Sequence, residues 1–436
     1  MTEKEALDFI YGQRKFAKSS GFERIEALLN ELGNPEKKLS FVHVAGTNGK
    51  GSVSTMVSYV LTSAGYRTGL FTSPFVVSFR ERIQIDGKYI VSESFCKITE
   101  RVKTASDKIG KYGLYPTFFE TVLAAALLYF EESGCQIAVL EAGIGGKDDS
   151  TNIIPAPEVA VITSVSFDHT DVLGNTLYEI AKSKSGIMKK GGVCVSFPKE
   201  NGDFDFVPQQ KETVKAHCEA SEKEDCALVF PDISDISVIR KTVRETVFSY
   251  KGKELSMSFT GDHQLANALV ALSVIGCLKE KGFFVSDKNI EDGFKKAFIP
   301  ARMEVIKDDP FILIDGGHKE GCMKALKSFV MSNLQSREIT AVLGFMKDKD
   351  YKKAIEIIAP CCRRIIFTLA DSFRGESPDV LSECAKKLCS EVYTSEKPIE
   401  AIEKAMAFSS ENSAVICAGS FYLVSEIRNF ITGDTL

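Results

Sequence analysis

The chain has 436 residues, 44% of them hydrophobic and 26% charged, and its 59 acidic and 54 basic side chains give a net charge of -5 at pH 7. This length exceeds what one compact core usually holds, so we expect two domains. The near balance of charge gives no electrostatic reason to expect a nucleic-acid partner, and a small-molecule substrate is the better expectation.

The N-terminal segment lacks the pattern of an export signal, because no basic stretch followed by an apolar one occurs in residues 1–5. The longest apolar stretch, around 122–130, is too short to cross a bilayer and ends in Glu131 and Glu132. The twelve cysteines are scattered without a C-x-x-C pair. We therefore expect a soluble, cytoplasmic protein with reduced cysteines and no membrane partner.

A glycine-rich segment follows the first predicted strand, 39–44, and precedes an amphipathic helical pattern. Backbone N–H groups in such a loop can approach a polyphosphate, the helix start favours anions, and a lysine adds a point charge. A serine hydroxyl in such a loop can bind Mg2+. The segment therefore predicts a nucleoside triphosphate site, although its spacing differs from G-x-x-x-x-G-K-[ST]. Its residues are Gly46, Thr47, Asn48, Gly49, Lys50, Gly51 and Ser52.

Two later strands also end in residues that suit this site. The strand 137–140 runs into Glu141, and the strand 159–163 leads to Asp168 and His169. A carboxylate at the end of a buried strand beside a phosphate loop can hold the metal of the nucleotide, so Glu141 is the first metal candidate. A structural carboxylate bound to nearby N–H groups is the alternative. His169 alone is a weak indication, since a loop histidine usually has no ligand.

The segment 180–187 contains two lysines, Lys182 and Lys184, which composition alone assigns to a solvated helix face. The polar section 199–226 is predicted to be a solvent-exposed excursion. Two apolar runs, 246–250 and 254–259, flank a Lys-Gly-Lys turn and predict a β-hairpin. A helix is predicted from near His263 to about Lys281.

A helical pattern ends at Pro300, where a new alternation of strands and helices begins. We place the domain boundary there, giving domains 1–298 and 299–436. Alternation of apolar strands with helices predicts an α/β fold with parallel sheets in both. The predicted strands of the second domain are 312–314, 339–344, 365–369 and 414–418.

Motifs along nearly the whole chain occur in one characteristic order, and together they resemble folylpolyglutamate synthase and dihydrofolate synthase of the Mur ligase superfamily. They are Gly46-Thr47-Asn48-Gly49-Lys50-Gly51-Ser52, Glu141-Ala142-Gly143-Ile144-Gly145-Gly146, Asp149-Ser150-Thr151-Asn152, Asp168-His169-Thr170, Leu173-Gly174, Lys184-Ser185-Gly186-Ile187, His263-Gln264-x-x-Asn267-Ala268, Pro300-x-Arg302, Asp315-Gly316-Gly317-His318, Asp348-Lys349-Asp350 and Gly419-Ser420-Phe421-Tyr422-Leu423.

The resemblance implies an ATP-dependent ligase that adds L-glutamate to a folate or to dihydropteroate through an acyl phosphate. It implies a P-loop-type ATPase domain of the Mur ligase central type with a small β-hairpin region, followed by a smaller Rossmann-like glutamate-ligase domain. ATP would bind between the domains, and closure would assemble the site. A monomer suits this architecture.

The resemblance also assigns roles to individual residues. Lys50 and the loop amides would hold the phosphates, with Asn267 and Arg302 reaching them from the far side. Asp315 would bind the ribose, and His318 would lie by the phosphates. Ser52, Glu141 and His169 would hold one Mg2+, and Lys184 would be a carbamate bridging to a second ion. Lys50, Lys184 and His318 are the catalytic candidates.

Four positions depart from the family pattern: Phe75 replaces a histidine, Ser183 a glutamate, Ala301 a glycine and Lys319 an asparagine. Phe118 and Phe119 resemble a segment near the pterin, and core packing of a helix over 117–130 is an equal alternative.

Two other functions stay open at this point. One is a Mur-type ligase that joins an amino acid to a non-folate carboxylate, and the other is a nucleotide-binding regulatory homologue that has lost ligation. The folate-type motifs argue against the first. Retention of Lys50, Glu141, His169 and Lys184 argues against the second, because a binding module has no need for a metal set.

Overall fold

A computed structural model describes residues 1–15, 21–370 and 374–433. The two sheets of the α/β prediction are both present, and the fold prediction is confirmed. The helices before the second sheet are α1 (Glu3–Tyr11), α2 (Glu23–Glu31), α3 (Lys50–Ser63), α4 (Ser92–Gly110), α5 (Phe118–Glu132), α6 (Thr170–Leu173), α7 (Leu177–Ser185), α8 (Lys211–Lys223), α9 (Asp262–Glu280) and α10 (Asp287–Lys296). The strands there are β1 (Ser40–Ala45), β2 (Thr68–Phe71), β3 (Ile83–Ile85), β4 (Lys88–Tyr89), β5 (Ile137–Glu141), β6 (Val159–Ile162), β7 (Val193–Ser196), β8 (Ala227–Val229), β9 (Ile236–Lys241), β10 (Thr246–Tyr250) and β11 (Lys253–Met257).

Within the described residues, the first sheet has eight strands in the order β4-β3-β2-β5-β1-β6-β7-β8. The strands from β2 to β8 pair in parallel, and β3 and β4 complete one edge in antiparallel pairing. Val44 pairs with Glu141 on one side of β1, and Ala45 pairs with Ile162 on the other. The loops after β1, β5 and β6 therefore leave the same edge of the sheet side by side, where ligands bind in open α/β sheets.

Helices cover both faces of this sheet, which makes a three-layer domain. On one face α3 packs against α9 and α10, and its buried side chains lie all around the helix. The other face carries α1, α2, α4 and α5 over a second apolar cluster. This double coverage explains why β1 and β5 are apolar almost throughout.

The predicted hairpin is confirmed as β10 and β11, which pair antiparallel. A third strand, β9, extends it and was not predicted, because its exposed residues give no clear alternation. The prediction of a solvent-exposed excursion over 199–226 is wrong for α8. This helix keeps its charged residues outside and buries Thr213, Ala216 and His217.

The second sheet has the order β12-β13-β17-β14-β15-β16 within the described residues, with β12 antiparallel to the rest. The segment 297–303 connects α10 to this sheet. None of the described helices is long and apolar enough to cross a bilayer. The remaining elements are β12 (Glu304–Asp308), β13 (Phe311–Asp315), α11 (Glu320–Asn333), β14 (Glu338–Leu343), α12 (Tyr351–Ile358), β15 (Arg364–Phe367), α13 (Pro378–Ala385), β16 (Glu391–Thr394), α14 (Pro398–Ala407), β17 (Ser413–Ala418) and α15 (Phe421–Thr432).

Candidate active site

The predicted phosphate loop is the turn between β1 and α3, and close packing fixes its glycines. A Cβ on Gly46 would lie 1.8 Å from the Thr163 hydroxyl, and one on Gly49 would lie 2.3 Å from the Asn267 side-chain oxygen. Gly49 also has a φ of 88° and begins α3 without a side-chain cap. The first N–H groups of this 14-residue helix are therefore free of a capping side chain, as an anion site requires. Asn267 lies against the loop, as its predicted role needs.

Lys50 folds back over this loop. Its Nζ donates to the carbonyl oxygens of Gly46 at 3.2 Å and Thr47 at 3.4 Å. Burial lowers the pKa of Lys50, and the charge of Glu141 opposes that shift. The lysine is thus held beside the loop amides by weak carbonyl contacts that a phosphate can replace.

Glu141 lies at the end of β5 and is buried. Its carboxylate accepts a hydrogen bond from the Ser73 N–H at 3.2 Å, and a Cβ on Gly51 would lie 3.5 Å from Oε2. Burial raises its pKa, while Lys50 and Arg302 favour the charged form. A buried carboxylate with one backbone donor, lying against the start of α3, has lone pairs left for a hard cation. Ser73 was not predicted to contribute here, since the sequence gives no sign that its loop reaches Glu141.

His169 follows β6 in a left-handed conformation, with a φ of 49°. Its Nε2 lies 3.7 Å from Asp168 Oδ2, and the side chain is about half exposed. Burial lowers its pKa, and Asp168 opposes the shift. The described residues contain no cluster of three His, Cys, Asp or Glu side chains suited to a metal. The predicted set offers only two residues of these types, Glu141 and His169, so the metal assignment stays a prediction.

Lys184 is buried near the C-terminal end of α7, whereas Lys182 is exposed. The solvated-face interpretation is therefore correct for Lys182 and wrong for Lys184. The Nζ of Lys184 donates to the Gly46 carbonyl at 2.8 Å, which places it under the phosphate loop. Burial and the nearby Lys50 lower the pKa of Lys184 to about 7. Much of this lysine is therefore an uncharged amine near neutral pH.

The second domain brings Arg302, Asp315 and His318 to the facing side of the cleft. The Asp315 carboxylate accepts hydrogen bonds from the Met303 and Gly317 N–H groups at 3.0 and 2.8 Å. The Arg302 guanidinium lies 4.9 Å from the centre of the Phe421 ring, and its charge acts on Glu141 across the cleft. Burial lowers the pKa of His318 to about 4, so its imidazole is neutral. Asn48, Asp168 and His318 line a cleft of about 830 Å³ between the domains.

An arginine that the sequence analysis did not single out lies near this site. Arg82 is 8% exposed, and the rings of Phe75, Phe79 and Phe118 surround its guanidinium at 5.4 to 5.5 Å. Its buried Nε has no hydrogen-bond partner among the described residues. Burial lowers the pKa of Arg82, and Tyr11 and Glu141 oppose the shift. Among the described residues no carboxylate forms a direct ion pair with this buried guanidinium, so the pocket of Arg82, Phe75, Phe79 and Phe118 suits an anionic ligand.

Phe118 and Phe119 both pack against the second apolar cluster, as the core interpretation predicts, but they differ in their contact with this pocket. Phe118 is the first residue of α5, is partly buried, stacks on Tyr11 at 5.7 Å and faces Arg82. Phe119 instead packs edge-on against Phe71 at 5.7 Å. The clustering of Phe75, Phe79 and Arg82 within eight residues was a signal in the sequence that could have led to the pocket.

Comparisons with known proteins agree with this geometry. The Mur ligase middle domain matches residues 44–275, and the glutamate ligase domain of Mur ligases matches residues 301–421. Dihydrofolate synthase/folylpolyglutamate synthase of Bacillus subtilis is 32% identical over 98% of this chain and 98% of its own length. The chain belongs to this family.

Two solved structures extend the agreement to the whole fold. Folylpolyglutamate synthase from Thermotoga maritima is 32% identical to this ligase, with a TM-score of 0.87 over 99% of this chain and 97% of that one. The Mycobacterium tuberculosis folylpolyglutamate synthase complexed with ADP is 26% identical, with a TM-score of 0.87 over 100% and 99% of the two chains. The predicted family is confirmed, and the chain is an ATP-dependent ligase. The roles of its individual site residues stay predictions.

Proposed function

We propose that this ligase joins L-glutamate to the carboxylate of tetrahydrofolate, of dihydropteroate or of both, with an acyl phosphate as the intermediate. One observation carries the proposal: the charges of Lys50 in the phosphate loop, of Arg82 and of Arg302 in the second domain all act on the buried Glu141 carboxylate. A nucleotide and a carboxylic acid would meet at this point. The ADP complex of the Mycobacterium tuberculosis relative supports the use of ATP.

ATP would bind with its phosphates on the amides of residues 46–52 and beside Lys50. Asn267, which packs on Gly49, would contact the phosphates from the side of α9. Arg302 and Asp315 would add the contacts of the second domain to the phosphates and the ribose. Because one chain supplies both sides of the cleft, a monomer would be sufficient for activity.

Glu141 offers carboxylate oxygens of the kind that Mg2+ prefers. We propose that Ser52, Glu141 and His169 hold one ion and that Lys184, as a carbamate, helps to hold a second. Bound ions would neutralise the phosphate oxygens during the attack. Ser73, whose N–H already contacts Glu141 at 3.2 Å, would fix the carboxylate orientation.

The carbamate on Lys184 is supported by the burial of this lysine. Only an uncharged amine reacts with carbon dioxide, and burial with Lys50 nearby brings the pKa of Lys184 to about 7. The product would be an anion beside Lys50, which would stabilise it. Its place under Gly46, 2.8 Å from the carbonyl oxygen, is suitable for reaching a phosphate-bound ion.

The Arg82 pocket would hold the acid that is activated. Three aromatic rings lie within 5.5 Å of the guanidinium and suit contact with a flat conjugated group, and the guanidinium itself suits a carboxylate. In the first step a carboxylate oxygen attacks the γ-phosphorus and ADP leaves. In the second, the uncharged glutamate amine attacks the acyl carbon, and phosphate leaves with the proton that the nitrogen loses, as hydrogen phosphate. Lys50 and Arg302 would stabilise the charge that develops on the phosphate in both steps.

A ligation assay tests the proposal. Purified protein is incubated with ATP, Mg2+, labelled glutamate and either dihydropteroate or tetrahydrofolate. We expect a glutamylated product and equal amounts of ADP and phosphate with at least one acceptor. Lys50→Ala should abolish the product while the melting temperature changes little, because Lys50 contributes charge rather than core packing. Failure of the wild-type protein with both acceptors contradicts the proposal.

A further inference from the structure

One ion pair spans the cleft directly beside the phosphate loop. Lys319 Nζ of the second domain donates to Asp168 Oδ2 of the first at 2.6 Å. The side chains are 39% and 20% exposed, so the pair lies at the mouth of the cleft and is partly shielded from solvent. Lys319 is also the position at which this chain departs from the asparagine of the family pattern.

The two ends of this pair belong to segments that carry the site. Asp168 lies in the loop after β6, and this loop is joined to the phosphate loop because Thr47 N donates to Ser164 O at 2.8 Å. Ser166 N and Thr47 Oγ1 are also within 3.1 Å. Lys319 directly follows His318 and precedes α11. The pair therefore fixes the distance between the phosphate loop and the turn that carries His318.

The charges around the pair explain how it could respond to a nucleotide. Lys319 lies close enough to Lys50 and Lys184 for its charge to act on both, and Asp168 offsets this repulsion. A bound polyphosphate would neutralise the same group of lysines. Closure of the cleft and binding of an anion would thus favour each other.

Two other polar contacts between the domains involve neither the loop after β1 nor the loop after β6. Arg244 Nη2 and Asp308 Oδ1 are 2.8 Å apart, with side chains that are 51% and 79% exposed. Ser328 donates to Asp205 at 3.3 Å. Asp205 and Ser328 line the cleft, whereas Arg244 and Asp308 do not, so the Arg244 pair is the control.

We propose that Lys319 is a positioning residue that couples closure of the cleft to nucleotide binding through its ion pair with Asp168. The proposal rests on the proposed function only in taking the cleft as the ATP site. The hypothesis that Lys319 acts through Asp168 and the hypothesis that Lys319 binds phosphate directly predict different effects of removing the Asp168 charge. If Lys319 acts through Asp168, loss of either residue weakens nucleotide binding. If Lys319 binds phosphate directly, removal of the Asp168 charge leaves binding unchanged or strengthens it.

The experiment measures ADP affinity by calorimetry, without Mg2+ and without acceptor, for Lys319→Ala, Asp168→Asn and the double variant. We expect each single variant to bind ADP roughly tenfold more weakly and the double variant to be no weaker than either, as for residues that act as one unit. Lys319→Arg should keep most of the affinity, since it keeps the charge. The control Asp308→Asn should bind ADP like the wild type.

Small-angle scattering gives a readout that is independent of affinity. Wild-type protein and Asp308→Asn should become more compact with ADP, and Lys319→Ala should do so less. Normal or tighter binding by Asp168→Asn, or additive losses in the double variant, would overturn the proposal. Because no acceptor is present, a wild-type enzyme that binds ADP but fails to ligate folate would contradict the proposed function and leave this test valid.

Discussion

At the scale of single residues, the site is a set of buried ionisable groups that lack full partners within the described protein. Lys50 and Lys184 contact only carbonyl oxygens of the loop, and Glu141 accepts a single backbone hydrogen bond. Such groups cost free energy in the ligand-free protein. Their arrangement is therefore explained by ligands that complete them, and each of them should affect activity far more than folding.

The shared metal site predicts a specific pattern of losses. Glu141→Gln and His169→Ala should each raise the Mg2+ concentration needed for half-maximal ligation and slow turnover by at least about tenfold, because each removes a ligand of one ion. The double variant should be little less active than the less active of the two single variants. Magnesium titrations of the rate provide the measurement, with the exposed Asp171→Asn as control. Fully additive losses would show that the two residues do not share a metal.

Lys184 gives a prediction that separates carbamate from plain lysine. Lys184→Ala should lose ligation and recover part of it in acetate or formate, whose carboxylate stands in for the carbamate. Lys182→Ala, two residues away and exposed, should be fully active. Turnover with and without added carboxylate is the readout. An active Lys184→Ala enzyme, or an activity that no short carboxylate restores, would argue against the carbamate.

The residues differ in how far the sequence could predict them. Lys50 and Glu141 could be predicted as site residues from the sequence alone. One lies in a glycine-rich loop after a strand and the other at a strand end, and parallel strands place their carboxyl ends at the same edge of the sheet. Lys184 needed the family resemblance, since the periodicity of α7 does not distinguish it from the exposed Lys182. The pair of Asp168 and Lys319, 151 residues apart, depends on how two domains meet, which no local pattern records.

At the scale of elements, the loop after β5 is docked on α7, and this contact positions Lys184 relative to Glu141. A Cβ on Gly146 would lie 2.5 Å from the Lys184 carbonyl oxygen, and one on Gly186 would lie 2.4 Å from Lys147 Cβ. Asn152 Nδ2 donates to the Lys147 and Gly186 carbonyl oxygens, both at 3.0 Å. The family motifs in this region therefore have a packing function beside any chemical one.

Gly146→Ala tests this docking. The added methyl group would meet backbone atoms that cannot rotate away, so we expect a loss of about 1–3 kcal/mol in the free energy of unfolding together with reduced turnover. Gly276→Ala in α9 is the control, because nothing lies within 4 Å of its Cβ position. That variant should be slightly more stable, as alanine is favoured over glycine in helices. Equal behaviour of both variants in urea unfolding would contradict the docking argument.

The packing of α8 on α7 predicts a dependence of stability on pH. His217 Nδ1 lies 2.8 Å from the Ser185 hydroxyl, and burial lowers the pKa of His217 from 6.5 to about 4. The unfolded chain binds a proton at this histidine between those values and the folded chain does not, so stability falls as pH drops from 6.5 to about 4. His217 accounts for roughly 3 kcal/mol at most of the free energy of unfolding that is lost over this pH range.

His217→Gln should accordingly be less stable at pH 7.5 but lose less stability than the wild type on going to pH 5. Urea unfolding at the two pH values measures both effects. If the variant and the wild type lost the same free energy of unfolding between pH 7.5 and pH 5, His217 would not be the group that causes the loss. The burial of this helix face was hidden in the sequence, since the charged residues of α8 outnumber its three buried ones.

At the scale of the whole molecule, the central feature is a cleft whose two sides come from different domains. The phosphate loop, Glu141 and the Arg82 pocket belong to the first, and Arg302, Asp315 and His318 belong to the second. An acyl phosphate is rapidly lost to water, so a site that closes around it has a chemical advantage. The alternation of strands and helices predicted two such α/β parts, but their relative placement required the structure.

The most direct test of the account follows one atom through the reaction. With oxygen-18 in the acceptor carboxylate, the enzyme is run with ATP, Mg2+ and glutamate, and the released phosphate is analysed by mass spectrometry. Attack of the carboxylate on the γ-phosphorus predicts that one labelled oxygen moves from the acid into each phosphate formed. Glutamylated product accompanied by unlabelled phosphate would contradict the acyl phosphate and the assembly of the cleft around it.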